Sequence, residues 1–279
     1  MKRQNFIILF IFIASFSFLT SKAQIFVGPV IGGQVGVMTF NDKNNKSLYT
    51  TKPFVGYHVG GSISFKVQKI YFLQASILYT QRGKTLEGIL DPSFKNTVTY
   101  NYIDMPILFT KELKAKIGKG KVYKWSFGIG PNINYWLGGK GVLNSNELDE
   151  NTINPPNYDL PYHVTFKKAP ENVQFGEMNV ANPNRIQLGL IFSAGVIFEP
   201  TGFNKFMFTA RYELGHSFYS PDSDGDFGLD GALNYSDDLQ VRNQGLAFSL
   251  FYFIDLKTDQ KNKGKSTIKV DKVKKIKRK

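Results

Sequence analysis

Residues able to do chemistry fall into three groups along this chain. The first is a run of aspartates, Asp222, Asp224, Asp226 and Asp230, whose spacing resembles a calcium-binding loop. Such a loop needs glycine at its sixth position and a bidentate glutamate at its twelfth. Counted from Asp222, those positions hold Phe227 and Leu233. The run therefore reads as a solvated acidic loop, with a weak calcium loop as the sharper alternative, and no metal or cofactor is expected. The second group is His216 and Ser217 with Glu213 and Ser220, the residue types of a nucleophile and its base. On an extended chain His216 and Ser217 point to opposite faces, and Ser220 shares the parity of His216 but lies far along the strand. No catalytic residue is expected there. The third group is a set of charges, Arg82, Asp104, Lys124, Arg211 and Glu213, with Lys66 and His58 on the same parity. What they can do depends on the elements that carry them.

The clearest of those elements is the stretch 185–220. Ile186, Leu188, Leu190, Phe192, Ala194, Val196 and Phe198 fall on one face. Gln187, Gly189, Ser193 and Gly195 fall on the other, with Ile191 and Ile197 among them. After the turn at 199–204 the pattern repeats, Phe206, Phe208, Ala210, Tyr212 and Leu214 against Thr209, Arg211, Glu213 and Gly215. Alternation of period two marks a strand. A globular strand averages about 5–6 residues, whereas a tilted membrane-spanning strand needs about 9–11. A soluble barrel would turn Lys, Glu and Asp to water on the polar face. Here that face is mostly Gly, Ser, Thr and Gln, which suits a crowded interior with the apolar set on lipid.

Eight such segments can be drawn, at 25–39, 53–66, 70–84, 98–111, 122–138, 185–199, 205–220 and 241–255. The connections between them alternate long and short, ending on a long one. The expected fold is an all-β, eight-stranded, antiparallel up-and-down transmembrane barrel with short periplasmic turns and long outer loops. Both termini are then periplasmic. Eight strands enclose only enough room for side chains. The inward charges should pair and fill the lumen, since an unpaired buried charge is costly. Asp104 with Arg211 is the pair expected first, and His58 is expected to be a packed residue.

The ends of the chain differ from the barrel. Lys2 and Arg3 precede an apolar run of 14 residues and then Ser21-Lys22-Ala23, the layout of a secretory signal over 1–23. That run is shorter than the roughly 20 residues of a spanning helix. The chain holds no Cys, so disulfides, thiolate metal sites and an acylated N-terminal Cys are excluded. The net charge of +13 resembles a nucleic-acid binder until it is located. The signal carries +3 and the segment 257–279 carries +9, which leaves +1 for the barrel domain 24–256. No nucleic-acid partner is expected. The tail 257–279 is too basic to bury a core and is expected to be disordered alone. It is either a solvated extension or a tether to an anionic periplasmic surface.

Several segments together resemble one family: Tyr-Ile-Asp-Met-Pro-Ile-Leu at 102–108, Leu-Tyr-Thr-Gln-Arg-Gly at 78–83, Gly-Ile-Gly-Pro at 128–131, Ala-Arg-Tyr-Glu-Leu-Gly at 210–215 and the closing strand 244–254. They are similar to the PorT-like outer-membrane β-barrel proteins of Bacteroidetes. The resemblance runs from about 24 to 256, omitting the loop 139–184. The sequence departs from the family in having His216-Ser217-Phe218-Tyr219 after the Tyr-Glu-Leu-Gly motif. The resemblance implies a bacterial outer-membrane protein with a link to type IX secretion or surface assembly. The expected function is accordingly a non-enzymatic envelope component. Its expected partners are outer-membrane lipid, an envelope or secretion protein, and an anionic periplasmic surface for the tail. A lipid A-modifying enzyme around His216 and passage of a small solute are the alternatives.

Overall fold

A computed structural model describes residues 24–41, 43–117, 121–145, 159–167, 176–180, 182–200, 204–220, 228–230, 234–237 and 239–256. The expected signal 1–23 and tail 257–279 lie outside the described residues, as do Asp222, Asp224 and Asp226.

Eight strands carry the fold: β1 (Ile25–Phe40), β2 (Phe54–Lys66), β3 (Tyr71–Gly88), β4 (Lys95–Ile117), β5 (Lys121–Asn144), β6 (Ile186–Phe198), β7 (Asn204–Gly215) and β8 (Val241–Asp255). Each pairs antiparallel with the next, and β8 closes on β1 along Phe26↔Asp255 to Phe40↔Val241. The eight-stranded up-and-down barrel read from alternation is therefore the fold. From Tyr135 of β5, one circuit of paired residues runs through Ile103, Tyr79, Val59, Ile31, Leu250, Phe208 and Val196. It returns to β5 at Trp125, ten residues lower. A stagger of that kind requires strands tilted by about 35–45° from the barrel axis.

The apolar set faces outward. Val55 (74%), Phe198 (64%), Ile77 (63%) and Ile186 (61%) are mostly exposed, while Gln187, Asn134, Ser249 and Thr209 are buried in the lumen. This inversion of a soluble protein's pattern is the lipid-facing belt of a membrane barrel. Aromatic residues sit along it in pairs, Tyr57 with Tyr79 toward the long-loop end and Tyr71 with Phe109 toward the short-turn end.

Two kinds of expected boundary need correction, strands that run longer, including β4 on to Ile117 at the short-turn end, and one that stops early. β3, β4 and β5 run on beyond 84, 98 and 138 toward the long-loop end, reaching Gly88, Lys95 and Asn144. Their outward residues there, such as Thr85, Glu87, Thr97 and Thr99, suit water rather than lipid. The inward ones, Leu86, Val98, Tyr100 and Leu143, remain buried. The membrane strands thus continue as a soluble sheet, and a strand at Tyr49–Lys52 and another at Asp159–Thr165 add to it. A short helix, Lys43–Leu48, precedes the first of these in what the sequence read as a plain loop. The second correction is at β7, which ends at Gly215 rather than Ser220. There the amides of His216 and Ser217 both turn to the Leu188 carbonyl, ending the ladder.

A β-bulge on β5 marks the change of environment. Asn101 pairs with Gly138 but Tyr102 pairs with Trp136, so Leu137 is an extra residue. Gly138 takes φ 147°, which glycine tolerates without a Cβ clash. Because side chains alternate, one extra residue reverses the facing of everything beyond it. Below the bulge Asn132, Asn134 and Trp136 point inward; above it Gly141 and Leu143 do. Gly141 faces the ring of Tyr162, where a Cβ would lie 2.3 Å from Cζ.

Candidate functional site

The lumen is built in layers, each set by which residue types the strands turn inward. At the long-loop end Tyr100, Tyr102, Trp136, Leu143, Tyr162 and Tyr219 belong to one buried cluster. Trp136 meets Tyr100 edge-on at 5.2 Å, Tyr219 at 5.1 Å and Phe166 at 4.8 Å, and its indole N–H donates to the Gly138 carbonyl at 3.1 Å. Burial pushes the Tyr162 hydroxyl well above its ordinary pKa, with the charge of Asp237 adding to the shift. That hydroxyl donates to Asn96 Oδ1 at 2.8 Å. At the other end Phe26, Val30, Phe72, Met207, Phe251 and Phe253 form a second apolar layer.

Between these two layers lies the ionic site. The guanidinium of Arg82 on β3 is held by Asp104 of β4 at 2.6 Å and by both carboxylate oxygens of Glu213 on β7, at 2.9 and 3.1 Å. Its Nη2 also donates to Asn134 Oδ1 at 3.3 Å, and Asn134 Nδ2 donates to Glu213 at 2.9 Å. The ring of Tyr102 lies 5.3 Å from the guanidinium carbon. Two-pronged geometry of this type is the strongest form of an arginine–carboxylate contact. It ties β7 to β3 across the lumen.

Arg211 approaches His58, its Nη2 lying 3.3 Å from Nε2, and Ser249 Oγ lies 2.8 Å from the same nitrogen. A guanidinium only donates, so Nε2 is its acceptor in the tautomer that carries the proton on Nδ1, and in the other tautomer Nε2–H donates to Ser249 Oγ. Gly32 makes room beneath the imidazole, since a Cβ there would lie 2.4 Å from Nε2. The layer then carries two guanidinium and two carboxylate charges, which balance.

Arg82, Asp104, Arg211 and Glu213 lie together in one layer of the lumen, and two details differ from the set read in the sequence. The partner of Asp104 is Arg82, not Arg211. Asp104 and Arg82 sit on neighbouring strands whose register sets Asp104 opposite Leu78 and Arg82 opposite Tyr100, and parity alone cannot reveal that register. Lys124 faces the lumen but is not in the network. It pairs with Glu199 at the short-turn mouth, ten residues down β5 from Asn134. At about 3.3 Å per residue that is about 33 Å along the strand.

Three pairs were not anticipated. Lys84 and Asp237 meet at 2.6 Å with both side chains 0% exposed, Lys205 pairs with Glu112, and Lys66 reaches Gln24. Lys84, Lys205 and Glu112 share the inward parity of their strands, a signal present in the sequence. Asp237 lies in a loop, where parity says nothing.

The residues of the hydrolytic reading stay apart. His216 is exposed. Ser217 Oγ accepts from the Leu188 amide at 3.0 Å, and buried Ser220 donates to the Asn182 carbonyl at 3.5 Å. Asp230 ends a short strand, Gly228–Asp230, paired with Asn234–Ser236. The other three aspartates of the run lie outside the described residues.

A closed barrel with a lipid-facing belt and an ion-paired interior defines an outer-membrane β-barrel protein. The chain belongs to the outer membrane protein beta-barrel domain family, whose model matches residues 16–217. Comparison with curated proteins gives no match. Among solved structures it is similar to the outer membrane protein OprG of Pseudomonas aeruginosa, with 9% identity, 83% of this chain and 94% of that chain covered, and a TM-score of 0.42. Neisserial surface protein A gives 9%, 84%, 99% and 0.35, and the attachment invasion locus protein Ail of Yersinia pestis 12%, 82%, 98% and 0.34. At these identities and scores the likenesses imply nothing about activity.

Proposed function

We propose that this protein is a non-enzymatic, non-conducting component of the outer membrane that works by binding a protein partner at its long-loop end. The short-turn end faces the periplasm in this reading, as long outer loops and short periplasmic turns are the rule for such barrels. The observation that carries it is the filled lumen. An apolar layer at each end encloses the Arg82 network, and the space beside that network is only about 30 Å³. That is the volume of a single water.

The long-loop end supplies the surface. β3, β4 and β5 lift a polar sheet clear of the belt, and the tip joining β3 to β4 presents Leu90 at 82% and Ile89 at 50% exposure. An exposed apolar tip on a rigid hairpin is what partner binding uses. The PorT-like resemblance supports a partner in type IX secretion or surface assembly.

Proteomics of the membrane and medium of a strain lacking the gene tests the reading. Loss of a set of secreted or surface proteins, restored by the wild type and not by Leu90→Asp, is the expected result. An unchanged proteome would remove the secretion role. Stepwise conductance of the wild type in planar bilayers would remove the filled-barrel reading.

A further inference from the structure

The short-turn mouth opens into a cavity of about 450 Å³ whose walls are unlike the rest of the lumen. Five lysines line it, Lys66, Lys69, Lys114, Lys124 and Lys205, against two carboxylates, Glu112 and Glu199. Both carboxylates are already committed, Glu112 to Lys205 and Glu199 to Lys124. Among the described residues, Lys66, Lys69 and Lys114 have no carboxylate within ion-pair distance. Elsewhere in the lumen the charges cancel, Arg82 and Arg211 against Asp104 and Glu213, and Lys84 against Asp237. Buried Asp255 accepts from Gln24 at the same mouth, so five lysines face three carboxylates there and an excess of two positive charges remains among the described residues.

The floor is aromatic. The ammonium of Lys205 lies 4.7 Å from the ring of Phe26 and 4.5 Å from that of Phe72, and Lys66 lies 6.0 Å from Phe72. Lys205 is only 4% exposed, so its charge is held rigidly at the base. The apolar layer of Phe251, Phe253 and Met207 belongs to the same cluster as these two rings, so what enters the mouth meets a closed end. A concave, blind site of this size, with apolar walls and a few converging polar groups, fits a small molecule. Converging like charges with low-dielectric walls focus the field and raise the local concentration of the opposite charge.

We propose that this mouth is a binding site for a small, multiply anionic ligand, one bearing two or more carboxylate or phosphate groups on a body that can lie against Phe26 and Phe72. Lys66 and Lys69 would take one anionic group from the β2–β3 turn and Lys114 another from β4. The site needs no partner at the long-loop end and stands apart from the proposal made for that end.

Isothermal titration of the full chain in non-ionic detergent tests it, with benzene-1,3,5-tricarboxylate and pyrophosphate as probes and uncharged benzamide as control. Saturable binding of at least one anion at low salt is expected, with none for benzamide. The charge reversal Lys69→Glu/Lys114→Glu, at two exposed positions, should weaken it at least about tenfold, roughly 1.4 kcal/mol. Preference for the tricarboxylate assigns the site to aromatic or aliphatic carboxylates, and preference for pyrophosphate assigns it to phosphates. If the double variant fails to show heat-modifiable gel migration, the neutral change Lys69→Gln replaces it, with a smaller loss expected. Absence of saturable binding overturns the proposal. So does binding of equal strength to wild type and variant, which would place the anion on the basic segment 257–279 instead.

Discussion

Arg82 is the side chain through which three strands are tied at one point of the lumen. Its removal leaves Asp104 and Glu213 buried without their ion-pair partner, with only Arg211 of the same layer to offset two carboxylates, and breaking a buried pair costs about 3–5 kcal/mol. Arg82→Met should therefore lower the temperature at which the folded band converts to the unfolded band on a gel. Arg82→Met combined with Asp104→Asn and Glu213→Gln should recover part of the loss, because replacing a whole buried ionic group is far less damaging than removing one member. A triple variant no more stable than the single one would show that the network matters by shape rather than charge. Gly32 gives a second test at this scale. A Cβ there meets the Phe248 carbonyl oxygen at 2.0 Å as well as the His58 ring, and a backbone oxygen cannot step aside. Gly32→Ala should destabilise by about 1–3 kcal/mol. Gly61→Ala, with nothing within 4 Å of its Cβ, should stay within about 0.5 kcal/mol of wild type in the same melt.

At the scale of the element, the bulge at Leu137 decides which residues of β5 face the outer core. It predicts that Lys140→Cys and Val142→Cys react with an impermeant thiol reagent added to intact cells, while Leu143→Cys is protected. Deleting Leu137 should reverse the pattern or prevent assembly; an unchanged pattern would mean the register is set elsewhere. This is also where legibility in the sequence ends. The outward and inward sets of β6 and β7 were readable residue by residue, because lipid and a packed lumen impose unlike chemistry on alternate positions. The reading of β5 stopped at Gly138, where the parity reverses. The far ends of β3 and β4 were missed because their outward residues turn polar once the strand leaves the membrane, which looks like a loop. Parity placed Arg82, Asp104, Arg211 and Glu213 in the lumen but could not match Asp104 to Arg82. That pairing depends on the register of two neighbouring strands, in which Asp104 lies opposite Leu78 and Arg82 opposite Tyr100. Lys84 with Asp237 was hidden more deeply, since one partner lies in a loop with no period to read.

At the scale of the whole molecule, charge is distributed unevenly along the barrel axis. The lumen is neutral through its middle, and the uncompensated positive charge gathers at the short-turn mouth. β8 ends at Asp255, paired with Phe26 beside that mouth, and Leu256 is the last described residue before the segment 257–279. Its eleven basic residues against two aspartates carry +9. On that charge, an anionic surface supplied by another molecule is the partner to test. Attraction to an anionic membrane runs at about 1 kcal/mol for each basic residue near the surface. It falls off within a Debye length, about 8 Å at physiological ionic strength and about 3 Å at 1 M. A synthetic peptide of 257–279 should therefore bind phosphatidylglycerol vesicles at low salt, ignore phosphatidylcholine vesicles, and be released by high salt. In neutral nanodiscs the full chain should capture the anionic vesicles under the same conditions, and a chain with the lysines at 269, 272, 274 and 275 changed to Gln should capture fewer. Co-sedimentation reads all of these outcomes. Binding that is absent at low salt, or that survives high salt unchanged, would show that the segment is not an electrostatic tether.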